Sequence, residues 1–166
     1  TGDSFTNAGV VDATGAFIGN VGDVMNSGSL LTGTTEISGT TLSNSGVILG
    51  EQGVTMGVTS IDNTMNGQLV TYGDMAMTSD RLTNAGVINV TGGFNGNIAD
   101  VTNSGSLLTG TTEMSGTTIQ NDGLVFGESG ITLNMVTVNN DDAGELISYN
   151  SILLSGSGIT NTGYVE

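Results

Sequence analysis

The sequence repeats itself at two lengths, and residues 6–82 form the first copy of the longer repeat. They align with residues 83–159 without a gap; for example, TNAGVVDATGAF in the first copy aligns with TNAGVINVTGGF in the second. Residues 1–5 match the end of one copy and residues 160–166 the start of another. Because chains of tandem units stack each unit on its sequence neighbours, residues 1–166 are predicted to form a single repeat domain.

The shorter repeat lies inside each copy, where an asparagine returns about every 19 residues. Around it the chain reads Φ-x-Asn-x-Gly-x-Φ, where Φ is apolar, and a second apolar pair precedes the next asparagine by nine and seven positions, as Val54 and Met56 do. Apolar residues that alternate with other residues indicate β-strands, so each coil of about 19 residues is predicted to hold two or three short strands. The repeating asparagines are Asn7, Asn26, Asn44, Asn63, Asn84, Asn103, Asn121, Asn140 and Asn161.

The glycine that follows each asparagine predicts a corner of the coil, because glycine tolerates positive φ and asparagine bonds to nearby backbone. Phe17 and Phe94 stand where other coils have smaller residues, and each is paired with a glycine, Gly19 or Gly96. A large ring beside a glycine is what a narrow core of fixed volume requires. The fourth and eighth coils carry two extra residues between asparagine and glycine, which predicts a small protrusion in each.

These patterns together predict an all-β fold, a right-handed parallel β-solenoid of about eight and a half coils with a 77-residue, four-coil superrepeat. Right-handedness follows from the general rule for parallel crossover connections. With coils about 4.8 Å apart, the stack is a rod of roughly 40 Å. The nine asparagines are predicted to form a structural ladder of hydrogen-bonded amides, the alternative being a row of ligand-binding side chains.

Composition narrows the classes of function. The net charge is −15 and Arg81 is the only basic residue, which argues against nucleic-acid binding and against binding to anionic membranes. The chain has no His and no Cys, so the usual nucleophilic triads and His-based metal sites are excluded, and we expect neither an enzyme nor a cofactor. The acidic pair Asp141 and Asp142 is interpreted as solvated carboxylates rather than a Ca²⁺ site, and no membrane insertion is expected.

The threonine clusters around Thr32 and Thr109 raise an ice-binding hypothesis, but they do not recur on successive coils, so they are interpreted as ordinary strand formers. Paired carboxylates for glycoside hydrolysis are also not expected. Acidic residues that match across the repeat, such as Glu51 and Glu128, would lie four coils or about 19 Å apart, too far to act together.

The L-x-N-x-G-x-I unit, with its period of about 19 residues, resembles the haemagglutinin repeats of filamentous-haemagglutinin-type exoproteins of two-partner secretion systems. It is also similar to the passenger domains of related bacterial autotransporters. The resemblance covers the whole chain and implies a long right-handed β-helix at the bacterial surface. It implies an adhesin or a stalk that displays an adhesive or toxic end, and it brings no catalytic residues.

The expectation is therefore a structural repeat segment of a secreted bacterial surface fibre or adhesin stalk, located outside the cell. The alternative is an adhesive binding module that recognises glycans or neighbouring cells. Because residues 1–5 and 160–166 are partial coils with unpaired strand edges, end-to-end self-association into filaments is the expected partner interaction.

Overall fold

The computed structural model describes residues 2–166 as a parallel β-solenoid of about nine turns. Each turn takes about 19 residues, which confirms the predicted fold class. No helix occurs in this part of the chain, and none of it could therefore cross a membrane as a long apolar helix. The strands are β1 (Gly2–Asn7), β2 (Val10–Asn26), β3 (Ser29–Asn44), β4 (Val47–Asn63), β5 (Gln68–Thr71), β6 (Asp74–Asn84), β7 (Val87–Asn103), β8 (Ser106–Asn121), β9 (Leu124–Gly127), β10 (Ile131–Asn140), β11 (Glu145–Ser148), β12 (Ile152–Ser155), β13 (Gly158–Asn161) and β14 (Tyr164–Val165).

Each coil has three strand segments, and every segment pairs in parallel with the same segment of the next coil. We number a coil from its asparagine, so that coil 1 begins at Asn7 and coil 8 at Asn140. In several coils the segments merge into one bent strand of 16 or 17 residues, such as β2 and β3. The bend between the first and second segments coincides with a register shift, for example between Thr32 and Thr34.

The core is a single column of side chains that point into the coil from all three segments. Alternation places every second residue inside, and the motif residues Leu42 and Ile48 are at most 1% exposed. Five of the seven methionines fill this core, whereas Met25 and Met65 lie outside with 52% and 79% exposure. Stacking thus buries apolar positions that one coil alone would leave open above and below.

Phe94 and Gly96 share one space in the core of coil 5. Phe94 is 1% exposed, and a Cβ placed on Gly96 would lie 2.9 Å from Cε1 of the Phe94 ring. The same relation holds for Phe17 and Gly19 in coil 1, where the distance is 3.0 Å. The ring therefore occupies the volume that a second side chain takes in the other coils, where pairs such as Met75 and Met77 stand.

This exchange of volume predicts a compensating pair of substitutions. Gly96→Met alone should lower the free energy of unfolding by about 1–3 kcal/mol, because it overpacks a filled core. Phe94→Met together with Gly96→Met recreates the Met75 and Met77 pair of the neighbouring coil and should recover most of that loss. Urea unfolding followed by circular dichroism measures the free energy of unfolding of both variants. A double variant that is no more stable than Gly96→Met alone would contradict the idea that the two side chains share one volume.

The structure gives a different reason for the glycine at each corner from the one that the sequence predicts. The prediction that these corners need a positive φ is wrong, since within residues 2–166 the only glycine with positive φ is Gly130. A Cβ on the corner glycine Gly46 would instead collide with the carbonyl oxygen of Gly28 in the coil below. The stacked backbones pass so close at this corner that no side chain fits between them, and close approach rather than backbone freedom explains the glycine column.

Candidate functional site

The nine repeating asparagines lie in one row along the solenoid axis. Each Nδ2 donates to Oδ1 of the next asparagine at 2.7–2.9 Å, giving eight consecutive bonds from Asn7 to Asn161. Asn26 through Asn140 are at most 3% exposed. All the amides point the same way along the axis, so each bond polarises the next.

The same amides also hold the backbone of the next coil. Nδ2 of Asn84, for example, donates both to Oδ1 of Asn103 at 2.8 Å and to the carbonyl oxygen of Ser106 at 3.2 Å. Each asparagine thus binds the corner of the following coil at two points. From Asn26 to Asn140 the amides are buried, and their hydrogen bonds go to one another and to the backbone of the next coil. These amides therefore offer no free hydrogen-bonding group to a ligand.

Two threonine pairs lie in the core. The repeat pattern predicts the inward positions of Thr35 and Thr112, where they replace an apolar residue, but it does not predict the burial of Thr32 and Thr109. Thr32 and Thr35 exchange a hydrogen bond of 2.7 Å, and Thr32 donates to the carbonyl oxygen of Leu49 at 3.2 Å. Thr109 and Thr112 repeat the arrangement at 2.6 Å in coil 6. Within residues 2–166 no buried side-chain nitrogen or oxygen lacks a partner, which is the condition for polar groups in so narrow a core.

The two-residue insertions form exposed turns. In coil 4 the amide of Gly67 donates to the carbonyl oxygen of Thr64 at 2.7 Å, and Met65 at the tip is 79% exposed. In coil 8 Gly144 and Asp141 form the same turn at 2.8 Å. The predicted protrusions are therefore confirmed, four coils apart and on one side of the rod. Asp141 also accepts a hydrogen bond from Gln120 at 3.2 Å.

Over residues 2–166 the outer surface carries shallow, open clefts. One of them is an open groove of about 560 Å³ between the second and third segments of coils 3 to 6, lined among others by Thr59, Ser79 and Asp80. Two smaller clefts repeat at the 77-residue offset, one beside Glu51 with about 120 Å³ and one beside Glu128 with about 220 Å³. Within residues 2–166 no three His, Cys, Asp or Glu residues are grouped as metal ligands are.

One outer surface is apolar, and the alternating pattern of the repeat does not predict it. The first segment after each corner glycine carries apolar residues on both sides of the strand, as in Val47-Ile48-Leu49, where Ile48 is buried and its two neighbours point outward. The signal was present as runs without alternation, which mark strands covered on both faces. We call this surface the apolar face; its outward residues include Leu31, Val47, Leu49, Val70, Val87, Leu108, Leu124, Phe126 and Ile147.

Exposed tyrosines stand at the borders of the apolar face. Tyr149 is 80% exposed and meets the ring of Phe126 edge to face, with ring centroids 5.2 Å apart. Tyr72, its counterpart in coil 4, is 63% exposed. The hydroxyl of Tyr164 donates to the Glu166 carboxylate, and this hydrogen bond raises the pKa of the tyrosine.

The chain is similar to short stretches of two long bacterial proteins. It is 28% identical over 155 residues to the deoxyribonuclease CdiA of Dickeya dadantii (strain 3937), a match that covers 81% of this chain and 5% of that protein. It is 26% identical over 116 residues to the tRNA nuclease CdiA of Escherichia coli O6:K15:H31 (strain 536), covering 70% of this chain and 4% of that protein. This chain thus spans about one twentieth of the length of the curated relatives it matches. No protein-family model and no solved structure matches it.

Proposed function

We propose that this chain is a structural repeat segment of a secreted bacterial surface fibre or stalk, whose task is to give length and stiffness. The observation that carries the proposal is the unbroken asparagine row, which joins every coil to the next through buried amides. A row of this kind resists bending between coils and continues through the boundary between the two long repeats at Asn84 without change.

The relatives support a stalk role by the size of what they share with this chain. Both are very long, and the similarity is confined to about 5% of each. Their names describe them as nucleases, whereas a stretch so small and so repetitive suits a spacer. The proposal accordingly assigns this segment no catalytic step, and it locates the segment at the cell surface, in keeping with the resemblance to secreted β-helices.

The proposal predicts that length grows in proportion to the number of repeats. Chains with one, two and three added copies of residues 6–82 should lengthen by about 19 Å per copy, because each copy adds four coils of about 4.8 Å. Small-angle X-ray scattering gives the maximum dimension and the cross-section. A constant cross-section with a linear increase in length is expected for a stiff rod.

A second series of lengthened chains tests whether the stiffness of the rod depends on the asparagine row. The same series with alanine in place of the first asparagine of every copy, which is Asn7 in residues 6–82 and Asn84 in residues 83–159, keeps the number of residues but interrupts the amide row every four coils. We expect its cross-section to widen or its length to fall below the linear series. In the unmodified series, a maximum dimension that rises by much less than the increment of about 19 Å per copy would rule out the stalk.

A further inference from the structure

The apolar face is a surface that the solenoid itself does not cover. Its residues form two columns in ladder register, one of which runs Leu31, Leu49, Val70, Asn89, Leu108, Phe126 and Ile147. Six of these seven residues are apolar, and they stay half exposed because only their own neighbours in the column shield them. A contiguous apolar surface of this kind on a soluble rod marks an interaction site.

Charge distinguishes this face from the other two outer surfaces. From coil 2 to coil 7 neither column contains a charged residue, although the chain carries 16 acidic residues. The other two surfaces expose carboxylates in the same coils, such as Glu36 on the second segment and Asp62 on the third. Over coils 2 to 7 two acidic rods can therefore meet at the apolar face without bringing carboxylates into contact.

The order of residues along the face is symmetric about coil 5. A two-fold axis at Asn89 pairs Leu31 with Ile147, Leu49 with Phe126 and Val70 with Leu108, and it places Asn89 opposite itself. The second column follows the same rule over the middle of the face, since apolar Val47 meets Leu124 and polar Gln68 meets Ser106. Beyond the apolar stretch, the same axis sets Asp12 opposite Glu166 at each end of the paired rods. A surface that matches itself under a two-fold axis is what an isologous dimer requires.

The geometry points to a second copy of this chain as the occupant, packed face to face with its rod axis antiparallel and with the two-fold axis at coil 5. The parallel arrangement fits worse. It sets one column against the other within the same coil, so that Leu31 meets Ser29, Val70 meets Gln68 and Leu108 meets Ser106. Lateral pairing of this kind is separate from the end-to-end association expected from the sequence, and it does not depend on the stalk proposal.

The size of the face sets the strength of the contact. Four residues along the strand and seven coils along the axis span about 13 Å by about 34 Å, or about 450 Å² on each copy. A contact that buries about 900 Å² in total belongs to the weak end of protein interfaces, so we expect the dimer to form only at high protein concentration. Salt should strengthen it, because salt screens the repulsion between two rods of charge −15.

Sedimentation velocity from about 5 to about 500 µM, at low and high salt, tests the interface. Wild type should shift from monomer to dimer, and Leu49→Asp, which sets a charge in the middle of the face, should remain monomeric over the whole range. Thr55→Asp is the matched control, since Thr55 lies in the same coil and is exposed on another surface. A monomeric wild type, or a dimer that survives Leu49→Asp as well as it survives Thr55→Asp, overturns the proposal.

Cross-linking tests the orientation, because the chain has no cysteine of its own. An equimolar mixture of the Val70→Cys and Leu108→Cys proteins should form disulfide heterodimers on mild oxidation, whereas each protein alone should stay unlinked. Asn89→Cys alone should form homodimers through the two-fold axis. Homodimers of Val70→Cys that outnumber heterodimers in the mixture would exclude the antiparallel arrangement.

Discussion

Replacing Gly105 by alanine should lower the free energy of unfolding by about 3 kcal/mol or more. Gly105 is the corner glycine of coil 6, and an added Cβ would collide with the carbonyl oxygen of Gly86 and lie 2.7 Å from the carbonyl carbon of Ala85. All the atoms that it meets belong to backbone, which cannot move aside as a flexible side chain does. The coils would have to separate instead.

Separation of the coils at this corner breaks the hydrogen bonds that join them. The amide of Gly105 donates to the carbonyl oxygen of Asn84 at 3.0 Å, and the amide of Ser106 donates to that of Gly86 at 2.9 Å. Because repeat proteins hold together through nearest-neighbour contacts, one weakened interface divides the rod into two less coupled halves. Hydrogen exchange should therefore show the greatest loss of protection in coils 5 and 6.

Gly57→Ala is the matched control for Gly105→Ala. A Cβ on Gly57 meets no atom within 4 Å, and the residue lies in a strand segment of coil 3. This variant should be neutral or slightly stabilising, since alanine loses less backbone entropy than glycine on folding. Urea denaturation gives the free energy of unfolding of both variants. Equal stabilities would mean that the corner glycines do not set the close approach of the coils.

The coil period and the strand positions could be predicted because they depend on sequence-local patterns. An apolar residue two positions before each asparagine and two after each glycine fixes which side chains point inward, and Leu42 and Ile48 lie where that pattern puts them. The stacking of one coil on the next follows from the same pattern, because equivalent residues fall in register.

The sequence could not give the reason for the glycine column or reveal the apolar face. Glycine serves both backbone freedom and close approach, and only the spacing of Gly46 from the carbonyl oxygen of Gly28 separates the two. The apolar face was missed for a related reason. The alternation rule assigns every second residue to solvent and takes no account of its chemistry, so it does not single out Leu31 and Leu49 as apolar residues on the outside.

Replacing Asn84 in the asparagine row by alanine should lower the free energy of unfolding by about 2–5 kcal/mol. Asn84 is 2% exposed, accepts from Asn63 at 2.8 Å and donates to Asn103 at 2.8 Å. Alanine removes these two bonds and the one to the carbonyl oxygen of Ser106, leaves a small cavity and deprives the buried Oδ1 of Asn103 of its donor. Asn95→Ala, at an exposed asparagine of the same coil, should change stability by less than about 0.5 kcal/mol.

Asn84→Asp separates hydrogen bonding from volume, because a carboxylate keeps the shape of the amide but cannot donate. Ionised, it would face the Oδ1 of Asn103 and the carbonyl oxygen of Ser106, both acceptors, so at neutral pH this variant should be less stable than Asn84→Ala. Burial among acceptors raises the folded-state pKa of the introduced carboxyl above its unfolded value. The proton is then held more tightly in the folded state, and the stability deficit relative to wild type should shrink as the pH falls through that raised pKa. Urea unfolding of variant and wild type between neutral and mildly acidic pH measures this difference; a deficit that stays constant would mean that the row contributes packing alone.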